Sequence, residues 1–444
     1  MKDGRYTIGR VNIIMSIEGK KLLVLGGTSA SLDLVRLAKS MGVYTIVTDE
    51  RSKEERVAKQ IADECAMVST TDIDGLTELV REKKIDGAFC GPSEFNIRNL
   101  IRLCEHAGLP CYTTMEQWNR CANKDEFTAL CRSYHVDVPG EYDIHEGMTE
   151  AELGAIEYPI IIKPVDGCSS IGISVCRDSS EVMPAFNKAM DASTCKRIIA
   201  EKYIENGGEI FGVRYLIQDG EAYPYLLIDT YVADPINRTS LISAYTQTPS
   251  KYSQYYMENM NQNVREMIKG MGVKNGTVFF QSLPYRGKIY FHEMGYRLSG
   301  GMIYKLTESL MGINDMKMMI RYSLGGVCIT SDEVEKIDLS GKGKTGAQLM
   351  IPLNAGVVGR VEGLEDTLKI PEVTDFIQYY HVGDEVKPEF IGTLQQHFGR
   401  YTLIGETEEA IHAAISSIEE KLNIYDVDNK KMHVLRFDLT RVRA

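Results

Sequence analysis

The fold reading turns on Tyr158-Pro-Ile-Ile-Ile-Lys163-Pro164 and the loop that follows it, Asp166-Gly-Cys-Ser-Ser-Ile-Gly172. The first part is an apolar run ending in a lysine, and the second is rich in glycine and serine. Such a pair suits a polyphosphate. The ammonium pairs with phosphate oxygens, and loop N–H groups and hydroxyls close over them. Glycines let the loop approach closely. The same residues also suit an ordinary hairpin with an exposed lysine. A Walker A loop is excluded, because Gly-Lys-Ser/Thr is missing.

Upstream of this stretch the pattern is a different one. Lys21 to Leu25, Tyr44 to Thr48, Cys65 to Val68 and Gly87 to Cys90 are short apolar runs alternating with helical stretches near Ser29 to Met41 and Gly75 to Lys83. Alternation of this kind predicts a parallel sheet covered by helices, with ligands beyond the carboxyl ends of its strands. Between about 112 and 160 the chain reads as helical and charged, broken at Val138-Pro-Gly140. Downstream, longer alternating strands run from Ile198 to Ile204, Gly208 to Gln218 and Tyr223 to Asp229. Val278 to Leu283 and Lys288 to Glu293 follow, and turns at Asp219-Gly220 and Pro284 to Gly287 make hairpins. After Gly326 come short strands, Gln348 to Pro352 and Gly356 to Val361, and an amphipathic helix, Glu406 to Leu422. The fold class is therefore α/β followed by antiparallel α+β.

Length and composition bound the function. A chain of 444 residues allows about three domains of ~150 residues each. A net charge of −12 without a Lys/Arg-rich run argues against nucleic acid or an anionic membrane as partner. The run Val11 to Met15 is too short for a signal-peptide core. The ten cysteines contain no Cys-x-x-Cys pair and histidine is sparse, so zinc is disfavoured. Reduced core cysteines fit the cytoplasm.

Two further segments carry candidate chemistry. In Glu201-Lys-Tyr-Ile-Glu205-Asn-Gly-Gly-Glu209 the end glutamates can accept from ribose hydroxyls while backbone groups read adenine, although a charged strand-turn has the same look. In His292-Glu293-Met-Gly-Tyr-Arg297 the carboxylate can hold Mg²⁺ and the arginine a phosphoryl or acyl-phosphate group, or the two can form a buried salt bridge.

In this order and spacing the segments resemble the ATP-grasp superfamily, in particular biotin carboxylase, carbamoyl-phosphate synthetase large subunits and L-amino acid ligases. The likeness covers about residues 20 to 325. It implies a Rossmann-like preATP-grasp domain at 20–118 after a flexible leader (1–19). A two-part ATP-grasp domain at 119–325 follows, with a lid at about 128–204, and then a small C-terminal α+β domain at 326–444. Carried over residue by residue, the resemblance makes Lys124 (in Asn123-Lys124, before Val136-Asp-Val-Pro139) and Lys163 the phosphate lysines. Gly167, Ser169, Ser170 and Gly172 match the phosphate-covering loop, and Glu201, Lys202, Tyr203 and Ile204 the adenine segment. Glu209 matches the ribose carboxylate, Glu293 a metal ligand and Arg297 the catalytic arginine.

Two positions depart from the family pattern. Its first metal acid falls on Gln281, and the Asn of Glu-x-Asn-x-Arg falls on Gly295. Gln281 still offers a carbonyl oxygen as a metal ligand but no charge, so weaker metal binding or a compensating acid elsewhere is expected. The resemblance implies ATP with Mg²⁺ (or Mn²⁺) as cofactors, small carboxylate and amine substrates, and a homodimer. Catalytic roles fall to Arg297 and Lys163. The expected reaction is carboxylate–amine ligation through an acyl phosphate. A bicarbonate-phosphorylating enzyme and an ATP-binding module without turnover are the alternatives. Gly26-Gly27, at the first strand end, lacks the Gly-x-Gly-x-x-Gly spacing of a nicotinamide site. Glu94 is read as a helix cap or a substrate ligand. Tyr231, Arg238, Tyr245 and Lys251 are read as shaping a substrate pocket or as an exposed loop.

Overall fold

In the computed structural model, which describes residues 16–165, 172–233, 242–433 and 438–442, the first four apolar runs become parallel strands. They are β1 (Lys21–Leu25), β2 (Tyr44–Thr48), β3 (Glu64–Ala66) and β4 (Gly87–Phe89), in the order β3-β2-β1-β4. Leu22 to Leu25 are wholly buried, as continuous apolar strands of a helix-covered parallel sheet must be. The helix after β4, Glu94–Ala107, is capped by the Ser93 hydroxyl, which accepts the Asn96 N–H. Capping is thus the work of Ser93, and Glu94 is left to act elsewhere.

A second, antiparallel sheet holds β5 (Glu141–Tyr142), β6 (Ile160–Pro164), β7 (Ser174–Cys176) and β8 (Ile198–Lys202), in the order β5-β8-β6-β7. The helix Val182–Ala192 packs on it, joining Val182, Phe186 and Ala189 to Ile160, Ile162 and Ala200 in one small core.

The remaining strands are β9 (Glu209–Gln218), β10 (Glu221–Val232), β11 (Ser243–Thr248), β12 (Gly276–Tyr285), β13 (Lys288–Gly295), β14 (Thr345–Pro352), β15 (Gly356–Glu362), β16 (Val373–Gln378), β17 (Glu385–Val386), β18 (His397–Gly405) and β19 (Asn423–Asp426). Eight of them form one sheet, in the order β13-β12-β9-β10-β11-β14-β18-β16. Strands from after Gly326 therefore continue the sheet begun before it. The backbone edge of β11 finds its partner in β14, with Tyr245 opposite Leu349, and so leaves no row of unpaired polar groups. Only β15, β17 and β19 stand apart, as a three-stranded sheet.

Two helices tie the sheets together. Helix Ile303–Met311 lies on the central sheet, with Leu306 so close to Gly346 that a Cβ there would fall 2.9 Å from it. Its Lys305 pairs with Asp33 of the first helix and with Asp375 of β16. Helix Asp315–Ser323 reaches the parallel sheet at Gly87, where a Cβ would stand 1.9 Å from the Ser323 carbonyl oxygen. Among the described residues no helix is long and apolar enough to cross a membrane.

Candidate active site

Register places the site's floor. On adjacent strands Glu293 of β13 stands opposite Gln281 of β12, which stands opposite Gly212 of β9. Directly opposed residues share a face. The neighbouring row is Gly295, Phe279 and Arg214. The charges of Arg297, Glu94, Lys124 and Lys163 all act on the Glu293 carboxyl, so residues from separate strands, helices and a connecting loop converge there. Glu293 is open to solvent yet closely surrounded, as a residue on the floor of a cleft is. That crowding pushes its pKa up, Arg297 opposes, and Glu94 adds to the rise. Access from the open side moderates the push.

The two lysines reach the cleft from different elements. Lys124 opens the helix Lys124–Ser133, and Asn123 caps it by accepting the N–H groups of Asp125 and Glu126. The Asn of the Asn-Lys pair is thus structural, fixing where its lysine points. Lys124 Nζ donates to the Val165 carbonyl at 3.3 Å, beside the end of β6. Lys163 Nζ donates to Glu201 Oε2 at 2.5 Å, and both side chains are buried. This is a charge-matched pair at the edge of the cleft, with ammonium protons left to share with an anion. His292, adjacent to Glu293, is pushed down to about 3 by burial and by the Lys163 charge, and is therefore neutral at any working pH.

Arg297 does not pair with Glu293. Its guanidinium donates twice to Glu94 Oε1, at 3.0 and 2.6 Å, so the salt bridge considered from sequence gives way to one from the helix Glu94–Ala107. Beneath it lies Phe279, whose ring centroid is 5.0 Å from the guanidinium carbon, a cation–π support. This explains Gly295: a Cβ there would fall 2.3 Å from Phe279 Cε1. Where the family pattern has Asn, an aromatic ring from the neighbouring strand occupies the space. Tyr296 anchors the segment, its hydroxyl lying within hydrogen-bond reach of the carbonyls of Tyr112 and Asn275, which share its one proton.

The nucleotide-side candidates are also gathered. Glu209 is held by Lys251 at 3.1 Å, Tyr252 at 3.3 Å and Tyr231 at 3.4 Å. Tyr231 and Lys251 therefore act on that carboxylate; the exposed-loop alternative fails for the buried Tyr231 and Tyr245, on strands β10 and β11, while Lys251 lies in an exposed turn. Tyr252 is a contact that sequence reasoning missed, since nothing in its helix start marks it. Of the adenine segment, the Lys202 and Tyr203 N–H groups donate to the carbonyls of Gly140 and Pro159, and Lys202 Nζ reaches Glu157. The Ile204 N–H has no acceptor among the described residues. Gly172 has φ +79, and a Cβ would lie 2.6 Å from Ala192, so its identity follows from packing. Gly167, Ser169, Ser170 and Arg238 lie outside the described residues.

The first strand end is filled by the protein itself. Gly27 N–H donates to Asp49, which pairs with Arg56, and the Asn96 amide donates to the Leu25 carbonyl over Gly26. For a metal, no cluster of three ligating side chains occurs among the described residues. The acid nearest to compensating for Gln281 is Glu94, whose charge acts on Glu293 but which is already committed to Arg297. One carboxylate and one amide oxygen fit an ion that arrives with nucleotide phosphates, as Mg²⁺ does, and do not fit a free-standing metal site.

Residues 124–327 match the family model described as the carbamoyl-phosphate synthase L chain ATP-binding domain. The 2-oxoglutarate carboxylase small subunit of Hydrogenobacter thermophilus is 26% identical over 69% of this chain and 67% of its own. An L-amino acid ligase from Bacillus licheniformis superposes with a TM-score of 0.74 at 18% identity, covering 92% of this chain and 99% of that one. The biotin carboxylase domain dimer of the Hydrogenobacter thermophilus 2-oxoglutarate carboxylase, solved with MgADP, ADP and bicarbonate, superposes at 0.71 with 18% identity, covering 93% and 91%.

Proposed function

We propose that the chain, whose residues 124–327 match a carbamoyl-phosphate synthase ATP-binding domain, is a carboxylate–amine ligase of the ATP-grasp superfamily that works through an acyl phosphate in the cytoplasm. The observation that carries the reading is the convergence of Lys124, Lys163 and Arg297 on Glu293, a set suited to phosphoryl transfer by charge neutralisation and positioning. The parallel sheet supports a preATP-grasp part (20–118), and the sheet of β5 to β8 supports a lid at about 128–204 within an ATP-grasp part (119–325); the C-terminal part (326–444) shares the eight-stranded sheet with that part.

In this mechanism Lys124 and Lys163 hold phosphate oxygens, Ile204 N–H reads the base, and Glu209 accepts from the ribose hydroxyls. Mg²⁺ on Glu293 and Gln281 would screen the nucleotide's phosphate charge. A carboxylate oxygen of the acid attacks the γ-phosphorus, the bond to the β-phosphate oxygen breaks, and ADP leaves. Arg297, aimed by Phe279 and Glu94, steadies the acyl phosphate. The amine nitrogen then attacks the acyl carbon, loses a proton, and phosphate departs. An L-amino acid ligase stands among the similar structures and supports amine ligation as the first reading, while the carboxylase relatives keep bicarbonate as the second.

ADP release measured with a panel of acids and amines at millimolar Mg²⁺ tests this. We expect release that requires one acid and one amine together. Release that needs bicarbonate alone would transfer the assignment to the second reading, and ATP binding without release under any pairing would sink both.

A further inference from the structure

Two arginines on the site's face of the central sheet have no acid. Arg214 of β9 and Arg400 of β18 are only 8% and 6% exposed. Neither makes an ion pair within 4.0 Å among the described residues. Arg214 Nη2 donates to Ser299 Oγ at 3.1 Å, and its Nε has no acceptor; Arg400 lacks acceptors at both Nε and Nη1.

Both reach the loop that follows Arg297. Ser299 Oγ also accepts the Gly301 N–H, and a methyl at Gly301 would lie 3.9 Å from Arg400 Nη1. That loop leads into the helix Ile303–Met311, whose first turn has no side-chain cap, so its N–H groups add positive potential at the same place. The acid whose charge reaches Arg214 is Asp315, which is engaged by the Tyr225 hydroxyl at 2.6 Å and is itself pushed toward the neutral form by burial. Nearby, Lys305 is shared between Asp375 and Asp33, and it is Lys305 that Asp375 pairs with. The charge of Arg400 is felt by His397, pushed down to about 4 by burial and then by that guanidinium.

Buried guanidinium groups with unmet N–H donors are costly unless an anion completes them. Gly300 is exposed, giving access from solvent. Phe279 separates this pair from Arg297, which stacks on the ring, while Arg214 stands opposite the ring on the adjoining strand. Arg297 already has Glu94. One carboxylate cannot serve both places.

We propose that Arg214, Arg400 and Ser299 bind a second oxyanionic group of the acid substrate, carboxylate or phosphate, apart from the carboxylate activated beside Glu293 and Arg297. The substrate class is thus acids with two anionic groups. This rests on the carboxylate-activation reading above.

The test is calorimetry on the full chain with Mg²⁺ and a non-hydrolysable ATP analogue, using matched acids: succinate against butyrate, glutarate against pentanoate, and 3-phosphoglycerate against glycerate. We expect binding of a dianionic member and not of its monoanionic match, and the carboxylate and phosphate arms identify the group. Arg400→Met should weaken that binding about tenfold or more, with analogue binding unchanged, and Arg400→Lys should recover part of it. Equal binding within each pair, or unchanged affinity in both Arg400→Met and Arg214→Met, overturns the proposal. ADP release supported only by monoanionic acids would sink this pocket and leave the ligase reading intact. Dianion binding lost in Arg400→Met, with no ADP release under any amine, would sink the ligase reading and leave the pocket.

Discussion

The nucleotide side and the metal side of the cleft are built on opposite plans. On the nucleotide side charges are matched within the protein: Lys163 with Glu201, and Glu209 with Lys251 and two tyrosines. On the metal side Glu293 stands without an ion pair among the described residues, faces an amide rather than an acid, and has its pKa raised. A matched site is stable before its ligand comes, whereas an unmatched one stores its cost until a cation neutralises it. The difference implies that loss of a residue on the first side costs folding, and on the second costs turnover.

Glu293→Gln should have the largest effect. ADP production should fall on the order of a thousandfold. The native state holds a proton on Glu293 more tightly than the unfolded state does, so ionisation costs stability as pH rises from the ordinary carboxylate value through the raised one. The inactive variant should therefore be at least as stable as the parent at pH 8, by denaturant midpoint. A fully active variant would remove the metal assignment.

Lys163→Met tests the other side. Leaving Glu201 buried and alone should cost about 3–5 kcal/mol. Adding Glu201→Gln should restore most of the stability and none of the activity, as read by urea melts and ADP assays. If the double variant is as unstable as the single, the pair is not the source of the loss.

Gln281→Glu should lower the Mg²⁺ concentration for half-maximal ADP release on the order of tenfold, about 1.4 kcal/mol. An unchanged value would show that Gln281 lies outside the metal's reach.

Glu94→Gln is expected to act least. It removes a like charge beside Glu293 and frees Arg297, and both changes favour the ionised carboxylate. The acid limb of the rate profile, where protonation of Glu293 stops turnover, should move to lower pH. A limb that stays put would exclude Glu293 as its source.

Much of this was legible along the chain. The strand ending at Lys163, the glutamates at 201 and 209, and the Glu293 to Arg297 spacing are local, and strand ends and hairpins present such residues predictably. Glu94 was visible as a candidate, but its partner is 203 residues away, a separation no local pattern reports. The reason for Gly295 was hidden for the same cause, since Phe279 reaches it only across a strand pair. The continuation of the central sheet by β14, β18 and β16 could not be read from short strands, because edge pairing depends on which backbone lies free.

Periodicity and turn chemistry act over a few residues, and so the alternating parallel unit, the hairpins of the antiparallel part and the residue types of a phosphate-handling cleft are written along the chain. Which charges meet is set by packing in three dimensions: Arg297 with Glu94, Lys163 with Glu201, and Arg214 with Arg400 around one serine loop. Electrostatic energy depends on distance and burial in space, and neither is written in the order of residues.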